Sequence, residues 1–170
     1  MIFHWFSKKY NNKNKTTYKR TSRKEAADEL VRYAEDMTNA NRLDEALKHI
    51  DNALQIDPQN DFAWGDRGLI LDKQDRIEES LASFSKAIEI NPNNPITWLN
   101  KGLTLLKNNR LKESIECFDM AIENRQDYAK AWYNKGRALS ILGEINSSQT
   151  CFDKARKLDP FLYSKLKRMK

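Results

Sequence analysis

The sequence predicts an all-α solenoid, a row of antiparallel helix pairs stacked one on the next and closed by a short C-terminal capping helix. Three observations predict it. First, the series Trp64, Gly68, Leu71, Ile77, Phe84, Ala87 and Pro92 returns 34 residues later as Trp98, Gly102, Leu105, Leu111, Phe118 and Ala121. After another 34 it returns as Trp132, Gly136, Leu139, Ile145, Phe152, Ala155 and Pro160. A fixed period of this length marks stacked units, each burying its apolar face only against its neighbours. Second, apolar residues inside each copy recur at three- and four-residue steps, as one face of a helix requires. Third, Asn, Asp, Pro and Gly fall between the apolar runs at matching places, where helices begin and end. A scaffold of this kind works by presenting a surface to another molecule.

In chain order, residues 1–21 form a polar Asn/Lys/Thr-rich segment behind a short apolar head of Ile2, Phe3, Trp5 and Phe6. That composition offers too little apolar surface to offset the entropy of ordering it, so disorder is expected there. Order is expected to begin at Ser22, because Ser22 and Glu25 have the spacing of a capping box. Ala27, Leu30, Ala34 and Met37 then mark a first helix. A second starts near Asp44 and carries Ala46, Leu47, Ile50, Ala53 and Leu54, with Pro58 beyond its end. This pair is a weaker first copy of the repeat, with Leu30, Ala34 and Ile50 where later copies have Trp, Gly and Phe.

The expected units are 27–60, 61–94, 95–128 and 129–162, with a cap at 163–170. Asn60, Asn94 and Asp127 are placed to cap the first helix of each later unit, and Pro95 sits at a first-turn position where its missing N–H costs nothing. A mid-helix glycine costs ~1 kcal/mol relative to alanine, so Gly68, Gly102 and Gly136 at one register need a packing reason. The reason expected is close approach of the two helices of a unit, with Phe84, Phe118 or Phe152 filling the contact. After Pro160, Leu166 and Met169 beside Lys165, Lys167, Arg168 and Lys170 read as a solvating cap.

The net charge of +6 is uneven. Residues 1–24 hold Lys8, Lys9, Lys13, Lys15, Lys19, Arg20, Arg23 and Lys24 and no carboxylate, which leaves the remainder at −2. Cys117 and Cys151 fall one repeat apart. Stacked helices lie ~8–10 Å apart, beyond the reach of a disulfide, so both are expected as reduced thiols. With only His4 and His49 there is no zinc set, and no cofactor or metal is implied. Residues 1–6 are too short and interrupted for a membrane span and lack the marks of a secretory signal, so a cytoplasmic protein is expected. There is no phosphate loop and no nucleophile elbow, and His49 has no implied partner, so a non-catalytic protein is expected.

These residues closely resemble the tetratricopeptide repeat over residues 27–162. That family's 34-residue unit has an aromatic or Leu at its fourth position, Gly or Ala at its eighth, Ala at its twentieth and twenty-seventh and Pro at its thirty-second. Ser80, Ser114 and Ser148 depart from it at the twentieth position as a mild polar burden, and Gln126 replaces Pro in the third unit. The resemblance implies a right-handed superhelix whose concave face, lined by the first helix of each unit, is the binding surface.

Which residues face that groove can be argued from helix geometry. Trp98, Gly102 and Leu105 share the face that points into the stack, so Ile96, Leu99, Leu103 and Leu106 are expected to line the opposite face as an apolar stripe. The same reckoning gives Phe62, Gly65, Asp66, Leu69, Asp72 and Lys73 in the second unit, and Lys130, Tyr133, Asn134, Arg137, Ser140 and Ile141 in the fourth. The first unit supplies Asp28, Arg32, Glu35, Thr38 and Asn39. The groove then runs from acidic through apolar to basic, suited to a peptide or partner helix with an apolar centre and opposite charges at its ends. Asp66, Leu69, Asn100, Leu103, Lys130, Tyr133, Asn134 and Arg137 are the expected contact residues, with Asn100 and Asn134 offering amides to a peptide backbone.

Some members of the family clamp the terminal carboxylate of heat-shock chaperone tails with Lys, Asn and Arg side chains. Asn100 and Lys130 match that pattern, but Gly65, Leu69 and Asn134 do not, and no chaperone-tail clamp is expected. An alternative function is an adaptor held on an anionic membrane or nucleic acid by the basic, aromatic residues 1–24. Self-association through the apolar groove is a third reading.

Overall fold

A computed structural model describes residues 23–168. The expected disorder of residues 1–21, Ser22 of the capping box, His4, Met169 and Lys170 lie outside the described residues. The described chain is all helical and runs as α1 (Arg23–Asn39), α2 (Leu43–Ile56), α3 (Asp61–Lys73), α4 (Ile77–Ile90), α5 (Pro95–Lys107), α6 (Leu111–Asn124), α7 (Ala129–Ile141), α8 (Ile145–Leu158) and α9 (Pro160–Arg168). Helices pair within each unit, α1 with α2 through α7 with α8, and each pair stacks on the next, with α9 closing the row against α7 and α8. This is the expected solenoid.

The turn inside each unit needs one left-handed residue, supplied by Asn41, Asp75 and Asn109 at φ 58°, 60° and 60° and by Gly143 at φ 83°. Asn and Asp tolerate that region better than other side chains, and glycine enters it without steric penalty. Between units, the Asn60 side chain accepts from the Ala63 amide and the Asn94 side chain from the Ile96 amide, so both cap as expected. Asp127 does not cap. The helix there begins at Ala129, in register with Asp61 and Pro95, so the cap position falls on Tyr128, and Asp127, one residue earlier, meets Ala129 only through its backbone carbonyl. Pro95 occupies the first turn of α5.

The mid-helix glycines have the expected cause. A Cβ on Gly68, Gly102 or Gly136 would lie 2.7, 2.6 or 2.9 Å from the ring of Phe84, Phe118 or Phe152, inside van der Waals contact. In the first unit Ala34 meets the smaller Ile50, both buried, so each side of the contact changes together. Two of the three serines prove to be anchors. The Ser80 hydroxyl donates to the Gly68 carbonyl at 2.8 Å and that of Ser148 to Gly136 at 2.9 Å, tying the second helix of a unit to the glycine of the first.

Neighbouring units are joined by a recurring set of contacts. The indole N–H groups of Trp64, Trp98 and Trp132 donate to the carbonyls of Pro58, Pro92 and Gln126 in the preceding inter-unit turn, at 3.0, 2.8 and 3.0 Å. Three residues on, Arg67, Lys101 and Lys135 lie over those rings at 5.8, 5.9 and 6.0 Å and reach back to Asp51, Ser85 and Asp119 of the previous unit. Such cation–ring contacts are worth ~0.5–1 kcal/mol at exposed sites. Beneath them, Ala27, Leu30 and Ala34 pack with Ile50, Ala53 and Ala63, while Leu99, Phe118, Ala121, Ala131 and Ala138 form a cluster across the third and fourth units.

That second cluster corrects the expected apolar stripe on α5. Leu99 and Leu106 are 1% and 8% exposed and belong to the core. Their faces are covered by α7 of the next unit, because a stacked helix has neighbours on two sides and only a narrow strip faces the groove.

Candidate functional site

A strip of side chains at a seven-residue spacing, two helical turns, runs along the first helix of each unit. It pairs Asp28 with Glu35 on α1, Phe62 with Leu69 on α3, Ile96 with Leu103 on α5, and Lys130 with Arg137 on α7. Asp28 and Glu35 are exposed, Phe62, Ile96 and Leu69 are 66%, 48% and 36% exposed, and Leu103, Lys130 and Arg137 are half-buried. The strip therefore runs from two carboxylates through four apolar side chains to two cations. Phe62, Ile96, Asp28 and Glu35 belong to it although the expected contact set omits them. The seven-residue spacing in the sequence was the signal that would have included them.

Asp66 lies beside this strip, half-buried between α1 and α3, in a cleft of about 340 Å³ lined also by Glu35, Thr38, Asn39, Leu69 and Lys73. Burial pushes its carboxyl up to about 6 from an ordinary 3.8, and the like charge of Glu35 adds to the push. A carboxylate raised in this way gains from an arriving cation, which would replace the water lost on burial. Asn100, one unit on, is half-buried, and its amide makes no hydrogen bond to a described residue.

Two expected contact residues are placed differently. Tyr133 and Asn134 are each 3% exposed. Tyr133 is covered by the C-terminal helix, with Tyr163 edge-on at 5.8 Å and Phe152 at 5.4 Å, and burial raises its phenol above the usual value. Asn134 spends its amide inside α7, donating to the Lys130 carbonyl at 2.8 Å and accepting from Arg137 at 3.1 Å. It thereby aims the guanidinium of Arg137 and leaves no free pair of bonds for a peptide. Of the expected contact residues, Asp66 and Leu69 thus share the cleft with Glu35, Lys130, Asn134 and Arg137 lie together on α7, and Asn100 and Leu103 are half-buried on α5.

Elsewhere, Cys117 and Cys151 are free and buried, and burial pushes the Cys117 thiol up to about 11 and raises that of Cys151. Burial therefore disfavours the thiolate at both. No described helix is long and apolar enough to cross a membrane. A second, more open cleft of about 710 Å³ lies over α7 between α6 and α8, beside exposed Ile141, Leu142 and Ile145. In the earlier units this turn carries Arg42–Glu45, Arg76–Glu79 and Arg110–Glu113 pairs. Glu144 and Ser147 replace that pair in the fourth.

Comparison with known proteins bears on the scaffold. Family models described as "Tetratricopeptide repeat" match residues 62–94, 83–116 and 129–161, together more than half of the chain. No curated protein matches the sequence. Among solved structures, PilF of Pseudomonas aeruginosa superposes with a TM-score of 0.76 at 18% identity, over 81% of this chain and 63% of that one. A crystal structure of MamA gives 0.74 at 16% identity, over 79% and 78% of the two chains. A MamA segment from Desulfovibrio magneticus RS-1 gives 0.72 at 19% identity, over 80% and 77%. At these identities the likeness is one of fold.

Proposed function

The chain belongs to the tetratricopeptide repeat family, and from that membership we propose that it is a protein-interaction scaffold whose inner groove takes a peptide or partner helix with a cationic end, an apolar centre and an anionic end. One observation carries the reading. The paired strip positions change from Asp28/Glu35 to Phe62/Leu69, Ile96/Leu103 and Lys130/Arg137, while the Trp, Gly and Phe that build the stack stay constant through the last three units. A strip that only had to be wet has no reason to keep three exposed apolar side chains, Phe62, Leu69 and Ile96, between opposite charges. Charge at both ends sets the direction of the ligand, and the apolar centre supplies the affinity.

The test is titration of the intact protein with a synthetic peptide having lysines at one end, leucines in the middle and glutamates at the other, read by NMR shifts and calorimetry. Binding should shift the resonances of Leu69, Asn100, Leu103 and Arg137, and Lys130→Glu/Arg137→Glu should weaken it about tenfold, a difference of ~1.4 kcal/mol. Equal affinity in the wild type and that variant, or shifts confined to the outer helices, would overturn the reading.

A further inference from the structure

We propose that the acidic and apolar part of the groove is an internal docking surface whose occupant is this chain's own N-terminal segment, residues 1–22. The inference rests on the groove reading above and names a ligand for it. Residues 1–22 carry six Lys or Arg and no carboxylate, behind an apolar head of Ile2, Phe3, Trp5 and Phe6. The order of charge and apolarity along this segment matches the order along the groove. Its basic part, from Lys8 to Arg20, adjoins the body at Arg23, the start of α1, and α1 presents Asp28 and Glu35. Its apolar head lies farthest from the body, and the apolar strip, Phe62 and Leu69 then Ile96 and Leu103, lies one and two units farther along the row.

The reach is sufficient. Two steps between inner helices span ~20 Å at normal helix spacing. The sixteen residues 7–22 extend to ~50 Å at ~3.3 Å each, so the head can reach the apolar strip without strain. Asp66 supplies the polar complement, since it is half-buried in the 340 Å³ cleft beside Glu35 with no described cation paired to it, and a lysine or arginine from the segment would fill that place. The basic end of the groove, Lys130 and Arg137, is left open. A partner with an acidic end would therefore engage there first and meet the segment as a competitor for Leu69 and Leu103.

The experiment uses the full chain with a photoreactive benzoylphenylalanine in place of Trp5, cross-linked at low concentration and mapped by mass spectrometry. The expected cross-links fall on α3 and α5, near Phe62, Leu69, Ile96 and Leu103. The surface variant Asp28→Lys/Glu35→Lys, whose helicity is checked by circular dichroism, should reduce them roughly fivefold, as expected for the loss of two exposed ion pairs. The remote surface variant Lys112→Glu should leave them unchanged. Cross-links elsewhere, a yield indifferent to Asp28 and Glu35, or products that join isotopically heavy and light chains in a mixed sample would each overturn the proposal, the last by assigning the groove to a second copy. If these cross-links fail while the synthetic peptide still shifts Leu69 and Leu103, only the internal occupant is lost. If both fail, the groove reading falls as well.

Discussion

The hydroxyl of Ser80 donates to the backbone carbonyl of Gly68 at 2.8 Å, so a residue that the family pattern fills with alanine joins the two helices of its unit by a hydrogen bond. Replacing Ser80 by alanine removes that donor and should destabilise the chain by ~1 kcal/mol, the usual net worth of a buried hydrogen bond. Ser114→Ala should cost less, because its hydroxyl returns to Leu111 of its own helix at 2.7 Å. Urea melts of the two variants followed by circular dichroism make the comparison, and equal losses would refute it.

Gly102→Ala tests the helix contact. Alanine favours a helix interior by ~1 kcal/mol over glycine, but overpacking costs ~1–3 kcal/mol. A Cβ at 2.6 Å from the Phe118 ring makes the second effect the larger. The variant should melt below the wild type, and adding Phe118→Leu to it should cost less than Phe118→Leu costs alone, a coupling that a double-mutant cycle measures.

Asp66 sets a pH dependence. Its pKa in the folded chain, about 6, lies above its ordinary 3.8, because of burial first and Glu35 second. The folded state therefore holds the proton longer than the unfolded state does, so this contribution to stability is full below 3.8, falls as pH rises to about 6, and is absent above. Asp66→Asn should remove that slope and raise stability at pH 7 by up to ~3 kcal/mol. Denaturant midpoints of both proteins at pH 5 and pH 7 decide it, and parallel curves would count against it.

Leu99 and Ile96 share α5 but separate stability from binding. Leu99→Asp puts a charge into the core and should cost more than ~3 kcal/mol. Ile96→Asp, on the exposed strip, should change stability by less than ~0.5 kcal/mol while weakening the synthetic peptide. Thermal melts and calorimetry on the pair provide the test.

The scaffold was legible in the sequence because it is written three times. Trp64, Gly68 and Phe84 each return at a fixed distance, and the glycine is explained by the phenylalanine it meets. The site was less legible for a physical reason. Helix periodicity separates a face that packs from the face opposite, but a helix in a stacked row has a partner within its unit and neighbours on both sides, and these take Leu99, Leu106, Tyr133 and Asn134 out of reach. Tyr133 was concealed further because its cover, Tyr163, comes from a capping helix outside the repeat. Asp127 failed as a cap because the 34-residue period puts the cap position at Tyr128, one residue later, where the side chain has no capping oxygen in reach.

The indole bonds of Trp64, Trp98 and Trp132 have an optical consequence. Each ring is tethered to the turn that joins its unit to the one before, so each junction in the row carries a fluorophore of its own. The first unit, with Leu30 in that place, is dark. Variants that lack Trp5 and keep one of these three tryptophans would report the opening of a single junction, and the set together would time how a break travels from one end of the molecule to the other.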